Sequence, residues 1–322
     1  MKLSAVTPVY RNQSTLEELA RRVFQAAAPL YDEVEYVFVV DGSPDGSLGV
    51  LRRMAAADPR IRVVAFTRNF GQHAAMLAGL LAADGDRIFV IDGDLEEDPA
   101  TLPALHARIE EGFQVAAGVR GSGDRPLAKR LPARIYSALN AWLCDYPVID
   151  NVTNMRLMTR RFVEHLLSFR ERPFFGGITT WIGLPVGTVE VAWQDTGRRS
   201  SFTWRKLLSH ARLGIVGFST KLLRFSTVAG LCISAAAFLY GAWIAVLWLL
   251  HGQVVPGFSS LATLLAFLIG VQCIFIGILG EYVAEIFETV KSRPRFLVAE
   301  TINLDPSRAR DTARAAAAGG RS

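Results

Sequence analysis

The stretch Glu35-Tyr-Val-Phe-Val-Val40, followed by Asp41-Gly-Ser-Pro-Asp-Gly46, decides the fold. Its β-branched and aromatic residues run without polar alternation, the pattern of a strand buried on both faces of a parallel sheet. The next six residues are turn chemistry. The same alternation recurs on both sides of this stretch. Residues 2–9 form a short apolar strand, and residues 15–28 place Leu16, Leu19, Ala20, Val23 and Phe24 on one helical face. Ser14 or Thr15 is a suitable N-cap there, with Glu17 and Glu18 in the first turn. A helix over 48–57, a strand over 61–66, a helix over 72–83 and a strand over 87–91 complete the series. The series predicts an α/β fold with a doubly wound, mostly parallel sheet. Ligands of such sheets sit at the carboxyl ends of the strands. The polar clusters Tyr10-Arg11-Asn12, Asp41-Gly42-Ser43, Arg68-Asn69 and Asp92-Gly93-Asp94 fall at those ends.

The rest of the chain has another character. The 322 residues are 51% hydrophobic and 20% charged, with a mean hydropathy of +0.26. That average excludes a disordered chain and requires an apolar block in addition to a core. Residues 226–250 and 258–280 contain no charge, and each exceeds the roughly 20 residues needed to cross a bilayer. Lys221 and Arg224 precede the first stretch, Lys291, Arg293 and Arg295 follow the second, and the connector 251–257 has no Lys or Arg. The positive-inside rule puts both outer flanks in the cytoplasm and the connector outside.

The net charge is +5. Its location favours an anionic lipid over nucleic acid, because residues 198–224 carry seven basic and no acidic side chains beside the first span. Within that block Trp204, Leu207, Leu208, Ala211, Ile215, Phe218 and Leu222 step by three and four, predicting a basic amphipathic helix at the membrane interface. Residues 1–9 lack the long apolar run of a secretory signal, so the first domain is expected on the cytoplasmic side. Cys144, Cys232 and Cys273 show neither zinc nor disulfide spacing and are expected as reduced packing residues. The expected organisation is a globular domain over 1–200, a basic juxtamembrane helix over 201–224, two membrane helices within 225–282, a cytoplasmic segment over 283–304 and a disordered tail over 305–322.

Asp92-Gly93-Asp94 follows the apolar run Ile88-Phe-Val-Ile91. Gly93 permits a tight turn that aims two carboxylates at one point, and Glu96 can add a third. Hard oxygen ligands of this kind suit Mg²⁺ or Mn²⁺ bound with a diphosphate, although such a triplet also occurs in solvated turns. Asp41 can accept from a nucleobase or ribose, or simply cap its turn. Arg68 and Asn69 can bind a diphosphate or orient a base. His73 reads as a helix-start residue. Residues 120–134 hold five basic side chains and one acidic, enough to attract an anion.

Four motifs in order, Val6-Thr-Pro-Val-Tyr10, Val40-Asp-Gly-Ser-Pro-Asp-Gly46, Thr67-Arg-Asn-Phe-Gly-Gln-His73 and Asp92-Gly-Asp-Leu-Glu96, resemble the nucleotide-sugar domain of family 2 glycosyltransferases. Two spans followed by Gly280-Glu-Tyr282 and Lys291-Ser-Arg-Pro-Arg295 narrow the resemblance. It is to the polyprenyl-phosphate glycosyltransferases: dolichol-phosphate mannose synthase-like proteins, bactoprenol glucosyltransferases and the undecaprenyl-phosphate aminoarabinose transferase. It covers about residues 3–300. The resemblance implies a GT-A-like domain over residues 1–200 that moves a sugar from a nucleotide donor, with uridine favoured, to a polyprenyl (undecaprenyl) phosphate. Inversion at the anomeric carbon, at the cytoplasmic face of a bacterial inner membrane, would give a lipid-linked monosaccharide for cell-envelope glycans.

The resemblance also implies roles. Pro8, Tyr10, Asp41, Arg68 and Asp92 would hold the donor. Asp92, Asp94 and Glu96 would hold the metal, with Asp94 and Asp150 at the reacting centre. Arg120, Arg130, Arg198 and Arg199 would hold the acceptor phosphate. The chain departs from its relatives at Arg11-Asn12, at Val40 and at Glu96, where relatives often have Gln. At Asn154 many relatives are acidic. A phosphate monoester has a second pKa of about 6, so the acceptor needs positioning more than a base at 154.

A processive polysaccharide synthase is disfavoured by the two spans and by Trp193-Gln-Asp-Thr-Gly-Arg198, which does not match that class. A non-catalytic lipid-binding scaffold is disfavoured by the intact Asp92, Asp94 and Glu96. A dinucleotide-binding dehydrogenase is disfavoured because no G-x-G-x-x-G follows the first strand. The expected partners are thus the donor, the lipid phosphate and the membrane, and not nucleic acid; homo-oligomerisation stays open.

Overall fold

The computed structural model describes residues 1–121, 149, 151–168, 179–191, 221–251, 257–290, 294–305, 308 and 312. The first four strands are β1 (Lys2–Val9), β2 (Glu33–Val40), β3 (Ile61–Phe66) and β4 (Arg87–Val90). Between them run α1 (Leu16–Ala27), α2 (Ser47–Ala57) and α3 (Gln72–Ala82). A one-turn 3₁₀ segment, Pro99–Thr101, leads into α4 (Leu102–Glu110) and β5 (Val115–Arg120). Then follow β6 (Val152–Thr159), α5 (Arg160–Ser168), β7 (Val186–Val191), α6 (Lys221–His251), α7 (Phe258–Val290) and β8 (Val298–Ile302).

The eight strands form one sheet in the order β7-β5-β6-β4-β1-β2-β3-β8. The centre is parallel: β1 pairs with β2 and β4, and β2 with β3. Beyond that centre the sheet is mixed. β6 runs antiparallel to both β4 and β5, β7 is parallel to β5, and β8 closes the other edge antiparallel to β3.

Both faces are covered, which is why the deciding strand shows no polar alternation. Tyr36, Phe38 and Val40 point into one apolar cluster with residues of α1, α2 and α4. Val37 and Val39 point into the other with α3 and α5. Each such side chain, fully buried, contributes roughly 1.5–3 kcal/mol. The predicted face of α1 is buried at Leu16, Leu19, Ala20 and Val23. α3 is apolar nearly all round because it lies directly on the sheet, and a Cβ at Gly79 would sit 2.2 Å from Val6 Cγ1.

Residues before and after the paired long helices build this domain, and α6 with α7 form a second compact unit. Phe225–Ile244 and Phe267–Ala284 are long and apolar enough to cross a membrane, with mean hydropathies of 1.7 and 1.9. Neither window has any buried share, so these are not core helices. Both helices run past the apolar stretches, to 31 and 33 residues. Cys232 and Cys273 are free and exposed on them, not packing residues as expected. Cys144, the amphipathic stretch over 203–220, most of the connector and most of the tail beyond 305 lie outside the described residues.

Candidate functional site

The carboxyl ends of β1 to β4 are joined by side chains that satisfy their neighbours' backbones. The Asp41 carboxylate, 3% exposed, accepts the N–H of Phe70 at 2.6 Å and of Gly71 at 2.9 Å. Burial pushes its carboxyl above the ordinary range against those two bonds. Thus Asp41 anchors the β3–α3 loop instead of its own turn. Gly42 makes this possible. It has φ +56°, and a Cβ there would lie 2.3 Å from the Arg68 carbonyl carbon.

Asp45 joins the first two loops. It accepts from the Ser43 and Ser47 hydroxyls at 2.6 Å each, from Ser47 N–H at 3.1 Å and from Gln13 N–H at 3.2 Å. Ser43 in turn accepts Arg11 N–H at 2.8 Å. The Gly93 turn is held from β1's loop: the Thr15 hydroxyl donates to the Gly93 carbonyl, and a Cβ at Gly93 would come within 3.0 Å of the Asn12 side chain.

Asp92 stands just past β4. Gln72, the first residue of α3, donates Nε2–H to Asp92 Oδ1 at 2.7 Å. Asn154 of β6 donates Nδ2–H to Oδ2 at 2.9 Å. Asp94 Oδ1 accepts Glu96 N–H at 3.1 Å, and Leu95 between them takes a left-handed φ of 62°, which costs a non-glycine residue about 1–2 kcal/mol. Desolvation, then the Asp94 charge, push the Asp92 carboxyl upward, against the Asn154 and Gln72 amides and the Arg156 charge.

Behind this pair lies a charged group that the motifs alone do not announce. Glu97 is 3% exposed and Arg156 1% exposed. Glu97 Oε1 accepts Met155 N–H at 3.3 Å. Desolvation and the Asp92 charge raise its pKa. Arg156 donates to the Asn154 and Thr153 carbonyls and to Thr179 Oγ1 at 3.0–3.2 Å. Its charge opposes the upward shift of both carboxyls, and burial lowers its own pKa. A buried arginine inside a strand signals a buried acid nearby, and that signal was available at Asn154-Met-Arg-Leu157.

The expected donor residues gather at this end of the sheet, though differently exposed. Pro8 is buried in β1, while Tyr10 is exposed at its end. Arg68 is exposed, lies 4.1 Å over the Phe70 ring and donates to the Asn69 carbonyl at 3.0 Å. His73 is the second residue of α3. Arg120 ends β5, whose direction matches that of β4 through the shared neighbour β6. Arg130, Asp150, Arg198 and Arg199 lie outside the described residues.

Among the described residues no three His, Cys, Asp or Glu side chains are arranged to hold a metal ion. The expected set of Asp92, Asp94 and Glu96 is therefore not assembled as three ligands. The donor chemistry still fits Mg²⁺ or Mn²⁺, ions that take one or two carboxylates and complete their shell with water and substrate phosphate. Asp92 and Asp94 supply that pair, and their mutual repulsion is what a cation would relieve.

Residues 4–167 match the family described as Glycosyl transferase family 2. The SfII prophage-derived bactoprenol glucosyl transferase of Shigella flexneri is 36% identical over 312 residues, spanning 95% of this chain and 100% of that protein. The prophage bactoprenol glucosyl transferase homolog of Escherichia coli (strain K12) is 35% identical over 302 residues, with 92% and 98% covered. The crystal structure of M. tuberculosis glucosyl-3-phosphoglycerate synthase superposes with a TM-score of 0.47 at 22% identity, over 67% of this chain and 78% of that one.

Proposed function

The chain belongs to glycosyl transferase family 2, and from that premise we propose that it transfers a sugar from a nucleotide donor, UDP-linked, to a polyprenyl phosphate. The observation that carries this reading is the end-to-end correspondence with bactoprenol glucosyl transferases, which runs through the α/β domain and through both apolar helices. A relative sharing only donor binding would match the domain and stop.

In this reading the donor lies across the ends of β1 to β4. Asp41 and the Phe70-Gly71 backbone that it holds shape the nucleoside pocket, together with Pro8, Tyr10 and Arg68. Asp92 and Asp94, with Glu96 two residues further on, would hold a divalent cation, Mg²⁺ or Mn²⁺, against the diphosphate. When bound, the cation supplies charge neutralisation to the leaving diphosphate. An acceptor phosphate oxygen attacks the anomeric carbon as the bond from that carbon to the diphosphate oxygen breaks. The nucleoside diphosphate leaves with the bonding electrons, and configuration inverts. The acceptor is largely a dianion at neutral pH, given its second pKa of about 6. Catalysis thus comes from orientation and charge screening, supplied by Arg120, Arg130, Arg198 and Arg199, with Asp150 orienting the acceptor. In this reading the spans hold the protein in a bacterial inner membrane with the catalytic domain in the cytoplasm, an orientation that the basic flanks support.

The test is transfer by the purified full-length protein. It is incubated with undecaprenyl phosphate, Mg²⁺ or Mn²⁺, and a panel of radiolabelled nucleotide sugars beginning with UDP-glucose. Label should enter the chloroform phase with one donor. No organic-phase label with any donor would overturn the reading.

A further inference from the structure

We propose that Asn154 is a positioning residue that fixes the Asp92 carboxylate for the cation and diphosphate, an assignment that rests on the donor role given to Asp92 above. The two oxygens of Asp92 are held from opposite sides, Oδ1 by the Gln72 amide at 2.7 Å and Oδ2 by the Asn154 amide at 2.9 Å. A carboxylate offers about four acceptor sites. Each oxygen, having taken one amide hydrogen, keeps one lone pair for a cation. The two amides thus fix the plane of the carboxylate without filling it.

Asn154 is itself held. Its carbonyl accepts from Arg156 Nε at 3.2 Å, and that guanidinium, 1% exposed, is pinned further by the Thr153 carbonyl and the Thr179 hydroxyl. The position therefore belongs to a rigid strand end. A residue placed to take a proton from the acceptor would need an ionisable group, and an amide has none. An ionised aspartate, isosteric with Asn154, could only accept. It would turn the contact with Asp92 into a third carboxylate beside Asp92 and Asp94, with buried Glu97 behind them.

The experiment measures Mn²⁺ binding to the full-length protein in detergent micelles, from the electron paramagnetic resonance signal of free Mn²⁺, without donor or acceptor. Asn154→Leu should weaken binding roughly 10–100-fold, the usual effect of losing an outer partner of a metal ligand. Gln72→Leu should weaken it by a similar factor. If Asn154→Leu melts early, Asn154→Ala, which removes the amide without adding bulk, decides the point. Wild-type affinity in a folded Asn154 variant would overturn the proposal, as would absence of Mn²⁺ binding by the wild type. In transfer assays Asn154→Asp should not exceed the wild-type kcat; a higher kcat would show that the position calls for a base and would overturn the proposal. Because the binding measurement contains no sugar and no lipid, failure of transfer with every donor leaves it readable.

Discussion

The packing of Gly42 makes a sharp demand on the protein. A methyl group at this position would stand 2.3 Å from the Arg68 carbonyl carbon and 2.4 Å from Asn69 N, both backbone atoms. Carbon contacts are comfortable near 3.5 Å, so Gly42→Ala forces the loop after β3 outward by about 1 Å. Overpacking of this kind costs roughly 1–3 kcal/mol, and a side chain at φ +56° adds about 1–2 kcal/mol. A loss of roughly 2–5 kcal/mol should lower the melting temperature by roughly 4–20 °C in a domain of this size. The displaced loop carries the N–H groups of Phe70 and Gly71, which Asp41 holds. The KM for the donor should therefore rise as well. The assay is thermal melting of the detergent-solubilised protein with donor kinetics alongside, and Gly49→Ala as the paired control. Gly49 lies in α2, and a methyl added to it would meet no atom within 4 Å, so there the same substitution should stabilise by about 0.5–1 kcal/mol. If Gly42→Ala melts within about 2 °C of wild type with an unchanged donor KM, the account of the β2–β3 loop contact is wrong.

Three further outcomes follow from the packing and charges. Phe296 is fully buried and stacks on Phe66 with ring centroids 4.9 Å apart, so Phe296→Ala should cost about 3–5 kcal/mol in urea unfolding and loosen amide exchange in β3 and β8. At Asp45 burial works against ionisation, but bonds from Ser43, Ser47 and Gln13 outweigh it and hold the carboxyl down at about 2 against an ordinary 3.8. A depressed folded pKa means stability that is present above the unfolded value and lost as pH falls through the folded one. Asp45→Ala should accordingly lower stability by about 1 kcal/mol at pH 7, less if solvent screens the partly exposed group, and the difference should shrink between about pH 4 and pH 2. Asp92→Asn should reduce transfer by more than the roughly 10–100-fold typical of losing an outer partner, and chelation should stop wild-type transfer until Mg²⁺ or Mn²⁺ is restored.

The parallel centre was legible because its signals are local. The apolar run at 36–40 and the apolar face of α1 each arise from neighbours within one element, and their boundaries shifted by only one or two residues. The flanking strands were not legible. β5 reads Val-Ala-Ala-Gly-Val-Arg, too rich in small residues to look like a strand. β8 has only five residues and finds its partner β3 across the whole helical pair. Its anchors appear only in three dimensions: Asn303 donates to the Ala55 and Ile61 carbonyls, 248 and 242 residues away.

The site divides along the same line. Asp41, Asp92 and Asp94 stood out because each follows an apolar strand of the βα series, at the end of the sheet where ligands bind. The groups that fix them did not, since Gln72 and Asn154 meet Asp92 from 20 and 62 residues away and an amide in a turn or strand carries no mark of its partner. Glu97 was not among the candidates, although it directly follows Glu96. What removes it from solvent is the turn that follows, where Asp98 accepts Ala100 N–H at 3.0 Å and starts the 3₁₀ segment. That turn leaves Glu97 facing β6, 3.3 Å from Met155 N–H, on the side where Arg156 is buried. The Glu97 charge offsets part of what burial costs the Arg156 guanidinium, while Glu97 Oε2 is buried without a hydrogen-bond partner. Arg156 lies between Met155 and Leu157, all three buried, and its guanidinium is satisfied by the Asn154 and Thr153 carbonyls and the Thr179 hydroxyl. The carboxyl end of β4 thus rests on the buried Arg156 and Glu97 behind Asp92 as well as on the amides of Gln72 and Asn154 that hold the Asp92 carboxylate.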